Sequence, residues 1–261
     1  MAWQEWSDRD DEDSRFTTTH WTAIFSACTS GQPGQSEALG HLLGKYWRPV
    51  YCYLRRRGHD SEEAADLVQG FFHEAILRRG LLRSASPENG RFRTLLLKAL
   101  DRYCSNVRRH REARKRRPVG GWIRLDAREA QCLADGNPEA DPERAFHYAW
   151  ASQLLDEVLS AVEAECNTEG KLVHWNLFRE RVLEPILSEA ARPALPALCE
   201  RYRVADQAKA SNMIITVKRR IQKEMARRLR QMVGSDADVA REIHDLREIL
   251  SRNSAGPPVG W

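Results

Sequence analysis

Two short runs hold most of the chain's concentrated chemical capacity. "NVRRHREARKRRP", residues 106–118, sets Arg108, Arg109, Arg111, Arg114, Lys115, Arg116 and Arg117 against the single acid Glu112. "TVKRRIQKEMARRLR", residues 216–230, repeats the pattern. Cations at this density neutralise phosphates and release their counterions. Arginine also reads a guanine edge through its bidentate fork. The net charge is only +4, so the placement of the cations, more than their total, points to a polyanion held at two places. A single run of this kind is equally a solvated helix end, where the helix dipole favours cations. Arg102 and Tyr103 stand just ahead of the first run. An aromatic ring beside cations suits an unstacked base, although Tyr103 also fits an apolar helix stripe.

Other chemistry is poorly provided for. The histidines are scattered, and no His-Glu-x-x-His, Gly-rich phosphate loop or Gly-x-Ser-x-Gly elbow occurs. Asp60, Glu62, Glu63 and Asp66 form an acidic cluster. It reads first as the N-terminal turn of a helix, where the dipole favours acids, and second as a metal site. No catalytic residue, metal or cofactor is expected. The cysteines show no Cys-x-x-Cys spacing and read as free thiols in a reducing compartment. The start "MAWQEWSDRDDEDS" is acidic, the reverse of a secretory leader. No apolar run approaches the ~18 residues of a membrane span. The expected setting is the cytoplasm, without a membrane partner.

The elements that must carry these residues are helical. A short helix is expected in "TTHWTAIFSAC", capped by Thr18 or Thr19. Leu39, Leu42, Leu43, Tyr46, Trp47, Val50 and Leu54 then recur at three and four residues, and Gly58 is placed to end that helix. Asp60 or Ser61 caps the next, with Ala64, Leu67, Val68, Phe71, Phe72, Ala75 and Ile76 on its apolar face. A third helix carries Phe92, Leu95, Leu96, Ala99, Leu100, Tyr103 and Val107 into the first basic run, and Pro118 stops it. Residues 119–141 read as a linker. Pro142 opens a helix with Phe146, Trp150, Leu154, Leu155, Val158 and Val162 inside. Another follows with Trp175, Phe178, Val182 and Ile186. A short helix over Pro196–Arg203, a turn at Val204–Asp206 and a long basic helix with Ile214, Val217, Ile221, Met225 and Leu229 inside outline a helix-turn-helix. Gly234 ends it, and a tail helix holds Val239, Ile243, Leu246 and Leu250.

With these residues in hand, the chain resembles bacterial sigma factors of the extracytoplasmic-function (ECF) type, in particular an ECF-like branch common in planctomycetes. "YWRPVYCYLRRRGHDSEEAADLVQGFFHEAI" resembles the first two helices of sigma region two, and "GRFRTLLLKALDRYCSNVRRHREARKRR" its DNA-reading helix pair. "FTTTHWTAIFSA" is similar to the start of that branch, and "SNMIITVKRRI" resembles region four. The likeness spans Phe16 to Arg117 and Pro142 to Val233. It implies an all-α fold of two small helical domains joined by a linker. Residues 1–35 would be an acidic leader and short helix, 36–118 the region-two-like three-helix domain, 119–141 the linker, 142–234 the region-four-like helix-turn-helix domain, and 235–261 a tail helix and terminus.

The resemblance also implies roles. Asp66, Leu67, Gln69 and Phe72 would dock core RNA polymerase, with Gly70 standing where the family usually has an acid. Arg102, Asn106 and the basic run after them would engage and open the minus-ten element, in a place where the family often has Arg-Asn and this chain has Asp101 and Arg102. Lys209, Ser211, Asn212, Thr216, Lys218, Arg219 and Arg220 would read the minus-thirty-five element, and Met213 and Ile214 would be core. Cys199 and Arg203 stand where the family has alanine and a turn glycine. The implied partners are core RNA polymerase and promoter DNA, with an anti-sigma factor as a further candidate. The alternatives from the residues themselves are a stand-alone helix-turn-helix regulator, a nucleic-acid enzyme using the acidic cluster, and an RNA-binding protein.

Overall fold

Gly58 supplies the first sharp stop in the chain. In the computed structural model, which describes residues 35–74, 81, 92–113, 141–188, 191–232 and 236–253, helix α1 (Gln35–Arg56) closes there. Gly58 adopts a φ of +93°, the left-handed conformation that glycine takes without a Cβ penalty. Its N–H donates to the Arg55 carbonyl (3.1 Å), and the His59 N–H donates to the Leu54 carbonyl (3.3 Å), a Schellman closure. Two residues later Asp60 caps α2 (Ser61–Phe71), its carboxylate accepting the Glu63 N–H at 2.8 Å. Glu62 and Glu63 occupy the first turn. The acidic cluster thus begins a helix.

Helix α3 (Phe92–Ala113) carries the first basic run. Helix α4 (Pro142–Thr168) starts at Pro142, whose missing N–H costs nothing in a first turn. Helix α5 (Leu172–Phe178) passes through a π-helical turn, Arg179–Leu183, into the short α6 (Glu184–Leu187). Helices α7 (Leu195–Tyr202), α8 (Gln207–Arg230) and α9 (Asp236–Asn253) complete the order. Every regular element among the described residues is helical, so the fold is all-α. The expected helix at residues 18–28, Gly234 and all of the linker except Asp141 lie outside the described residues.

Helices from both sides of residues 119–141 pack against each other. The most extensive helix–helix contact is α1 against α4, across the linker, and the Gln153 amide donates to the Gly44 carbonyl at 3.3 Å between them. Val50, Tyr51, Cys52, Tyr53 and Leu54 are all buried. Five successive buried residues surround the whole helix, so α1 has neighbours on more than one side: α2 on one and α4 on another. Helix α4 is central in turn, touching α1, α5, α8 and α9, and it too buries successive residues, Ala149, Trp150 and Ala151. The buried side chains of all these helices form one continuous cluster.

The tail helix is part of this core. Arg93 at the start of α3 is 6% exposed and Glu242 of α9 is 2% exposed. Their side chains meet at 2.5 Å, and the Arg93 guanidinium lies 4.4 Å from the centroid of the Trp150 ring of α4. Three distant helices therefore converge on one buried cation.

Candidate nucleic-acid interface

The second basic run is positioned by a turn that strains against its own sequence. Helix α7 ends with the Val204 N–H donating to the Cys199 carbonyl (2.9 Å) and the Arg203 N–H donating to that of Glu200 (3.2 Å). This closure needs a left-handed residue, and Arg203 supplies it with a φ of +52°. Arginine there costs roughly 1–2 kcal/mol relative to ordinary helical backbone. Contacts around the turn hold it in place. Arg201 and the Tyr202 hydroxyl both donate to Glu180 in the π-helical turn, and Arg181 donates to the Pro193 carbonyl. Asp206 then caps α8, its carboxylate accepting the Lys209 N–H at 2.6 Å. Short helix, left-handed turn and capped long helix have the outline of a helix-turn-helix.

Helix α8 is two-sided. Ala210, Ile214, Val217, Ile221 and Leu229 are buried, and α4, α5 and α7 lie against the helix. Lys209, Asn212, Arg219, Lys223, Arg227 and Arg230 are exposed, and no acid is exposed along the helix. Its one carboxylate, Glu224, accepts from Arg227 and from Arg228, which also meets Glu157 of α4 at 2.5 Å. Ser211, Thr216 and Lys218 are half-buried, and the Thr216 hydroxyl donates to the Asn212 carbonyl at 2.8 Å.

Arg220 differs from the other expected groove residues. Its side chain is only 16% exposed and meets Glu165 at 2.9 Å and Glu169 at 2.6 Å. Hydrogen bonds from Arg220 and Lys171 lower the Glu169 carboxyl to about 2. Arg220 thus ties α8 to the end of α4 and does not join the exposed face. Ile215 does join it, at 43% exposed, and sequence reasoning passed over it. The helical period that buries 214, 217 and 221 was the available clue, because it turns 215 outward.

The first basic run leaves the core along α3. Arg102, Arg108 and Arg109 are exposed and Asn106 is half-buried. The Arg111 side chain and the whole of Arg114, Lys115, Arg116 and Arg117 lie outside the described residues. Arg108 lines a cavity of about 320 Å³ with Arg57, His59, Glu63, Leu67 and Ser105, where α1, α2 and α3 meet. Asp101 fixes this corner. It accepts from the Tyr53 hydroxyl at 2.5 Å and pairs with Arg57. Tyr103 packs its ring on Phe71, centroids 5.7 Å apart, which makes it a packing residue as placed.

On α2, Asp66 and Gln69 are half-buried, whereas Leu67 and Phe72 are in the core at 4% and 7% exposed. As folded, those two position the helix and offer a partner no surface. The described cysteines, Cys52, Cys104, Cys166 and Cys199, are free thiols, and burial pushes Cys52 up to about 11, far from the reactive thiolate range. No helix among the described residues is long and apolar enough to cross a membrane.

No protein-family model matches the chain, and no curated protein or solved structure is significantly similar to it.

Proposed function

We propose that the chain is a sigma factor that binds core RNA polymerase, recognises promoter DNA at two elements and helps to melt it, acting in the cytoplasm without a catalytic residue of its own. The observation that carries this reading is the exposed face of α8. It follows a helix-turn-helix turn, presents Lys209, Asn212 and Arg219 together, and exposes no acid. Such a face suits a phosphate-lined groove, with Asn212 able to pair an adenine edge in bidentate fashion. The exposed arginines of α3 form a second cationic site, matching the region-two resemblance of the sequence around them. Opening would rest on capture of a displaced base, since the sequence has no nucleotide-binding loop.

A second reading, a stand-alone helix-turn-helix regulator, is favoured by one observation. Leu67 and Phe72, the apolar members of the polymerase-docking set, are buried in this conformation. Run-off transcription from a genomic promoter library with core polymerase tests both. Transcripts that require the chain support the sigma reading. Duplex binding without polymerase co-purification supports the regulator. Loss of both overturns both.

A further inference from the structure

Two adjacent isoleucines of α8 meet opposite fates. Ile214 is 8% exposed, within the core, whereas Ile215 is 43% exposed. Ile215 lies three residues after Asn212 and four before Arg219, so the three share one helical face. A single exposed isoleucine is ordinary on a protein surface. This one is set apart by its surroundings, because Asn212 and Arg219 flank it one turn away on either side, and Ala208 and Gln222, both exposed, lie two turns away along the same face. The face therefore has a cation complementary to phosphate, two amides suited to base edges, Asn212 and Gln222, and one large apolar projection between them. The major groove has a matching inventory: donors and acceptors on every base pair, and one apolar group, the C5 methyl of thymine.

Resting on the DNA reading of α8, we propose that Ile215 is a specificity-determining residue whose side chain packs on the methyl group of a thymine next to the base pair read by Asn212. The full chain, alone and with core polymerase, is used to select duplexes from a randomised library. Each thymine of a selected duplex is then replaced in turn by deoxyuridine, which removes only the methyl group. One replacement should weaken binding about three- to fivefold, the worth of one buried methyl. It should fall beside the position whose base preference changes in Asn212→Ala. Ile215→Ala should weaken binding to the thymine duplex by a similar factor and be indifferent to deoxyuridine at that position. Ile215→Thr, which keeps a methyl and the β-branch, should retain part of the discrimination. A selected duplex that is bound with no deoxyuridine effect overturns the role of Ile215 and leaves the DNA reading standing, as does an Ile215→Ala chain that keeps the full effect. Failure to select any duplex, or binding that ignores Arg219→Ala, overturns the DNA reading of α8 and the thymine contact with it.

Discussion

A Cβ added at Gly70 would lie 2.2 Å from the Tyr103 hydroxyl oxygen and 3.4 Å from its Cζ. The ring stands over the bare backbone of α2 while it packs on Phe71. A larger side chain at residue 70 and Tyr103 as placed cannot occupy the same space, which gives a physical reason for glycine there. Gly70→Ala should lower stability by about 1–2 kcal/mol, because overpacking outweighs the better helix propensity of alanine. In a Tyr103→Phe background the nearest ring atom is at ordinary contact distance, and the same change should become neutral or stabilising. Urea denaturation of the four chains measures the coupling. Strictly additive effects would show that the two residues do not meet. Arg203 illustrates the converse case, in which a residue poorly suited to left-handed backbone is held there by its neighbours.

At the scale of the element, α8 assigns neighbouring arginines to different tasks. Arg219 faces solvent, and Arg220 reaches back to Glu165 and Glu169. Arg219→Ala should weaken duplex binding and reduce the slope of log affinity against log salt by roughly 0.9, the loss of one phosphate contact. Arg220→Ala should leave that slope unchanged and lower the melting temperature. The pH dependence of the tether has a definite sign. Glu169 is held well below its ordinary range, at about 2. Its contribution is therefore complete above the unfolded-state value and is lost as pH falls toward the folded one. The melting-temperature difference between wild type and Arg220→Ala should accordingly persist at neutral pH and shrink in strong acid. Equal salt slopes for all three chains would mean that the exposed face of α8 touches no phosphate.

For the whole molecule, the Arg93–Glu242 pair joins the start of α3 to the tail helix over the face of Trp150. Removing Glu242 leaves the Arg93 charge buried with the longer contact to Asp245 at 3.8 Å, and Glu242→Ala should cost about 3 kcal/mol. Replacing both, as Arg93→Met with Glu242→Leu, should restore most of that loss, because well-packed apolar residues avoid the desolvation of two ions. Equilibrium unfolding followed by circular dichroism checks both values. An unchanged stability in Glu242→Ala would mean that the tail does not dock through this pair in solution.

Helical period, glycine and proline placement and capping chemistry are local properties, and the sequence determined them. The stop at Gly58, the cap at Asp60, the start at Pro142 and the buried stripe of Ile214, Val217 and Ile221 all follow from neighbours within a few residues. So did the order of short helix, turn and long helix over 195–230, since turn and cap are local. What a helix packs against is not local. Of "VYCYL" only Val50 and Leu54 were read into the apolar stripe, yet all five residues are buried, because α2 and α4 both pack against α1. A run apolar all round was the available hint of a second neighbour, although it does not say which one. Leu67 and Phe72 were read into the apolar stripe of α2 and, through the resemblance, into a polymerase contact, and as folded they lie in the core. Arg220 was grouped with Arg219 although carboxylates more than fifty residues earlier, at the end of α4, claim it. Pairing over such separations depends on which helices meet in space, and only the tertiary structure decided that Glu242 would be the partner of Arg93.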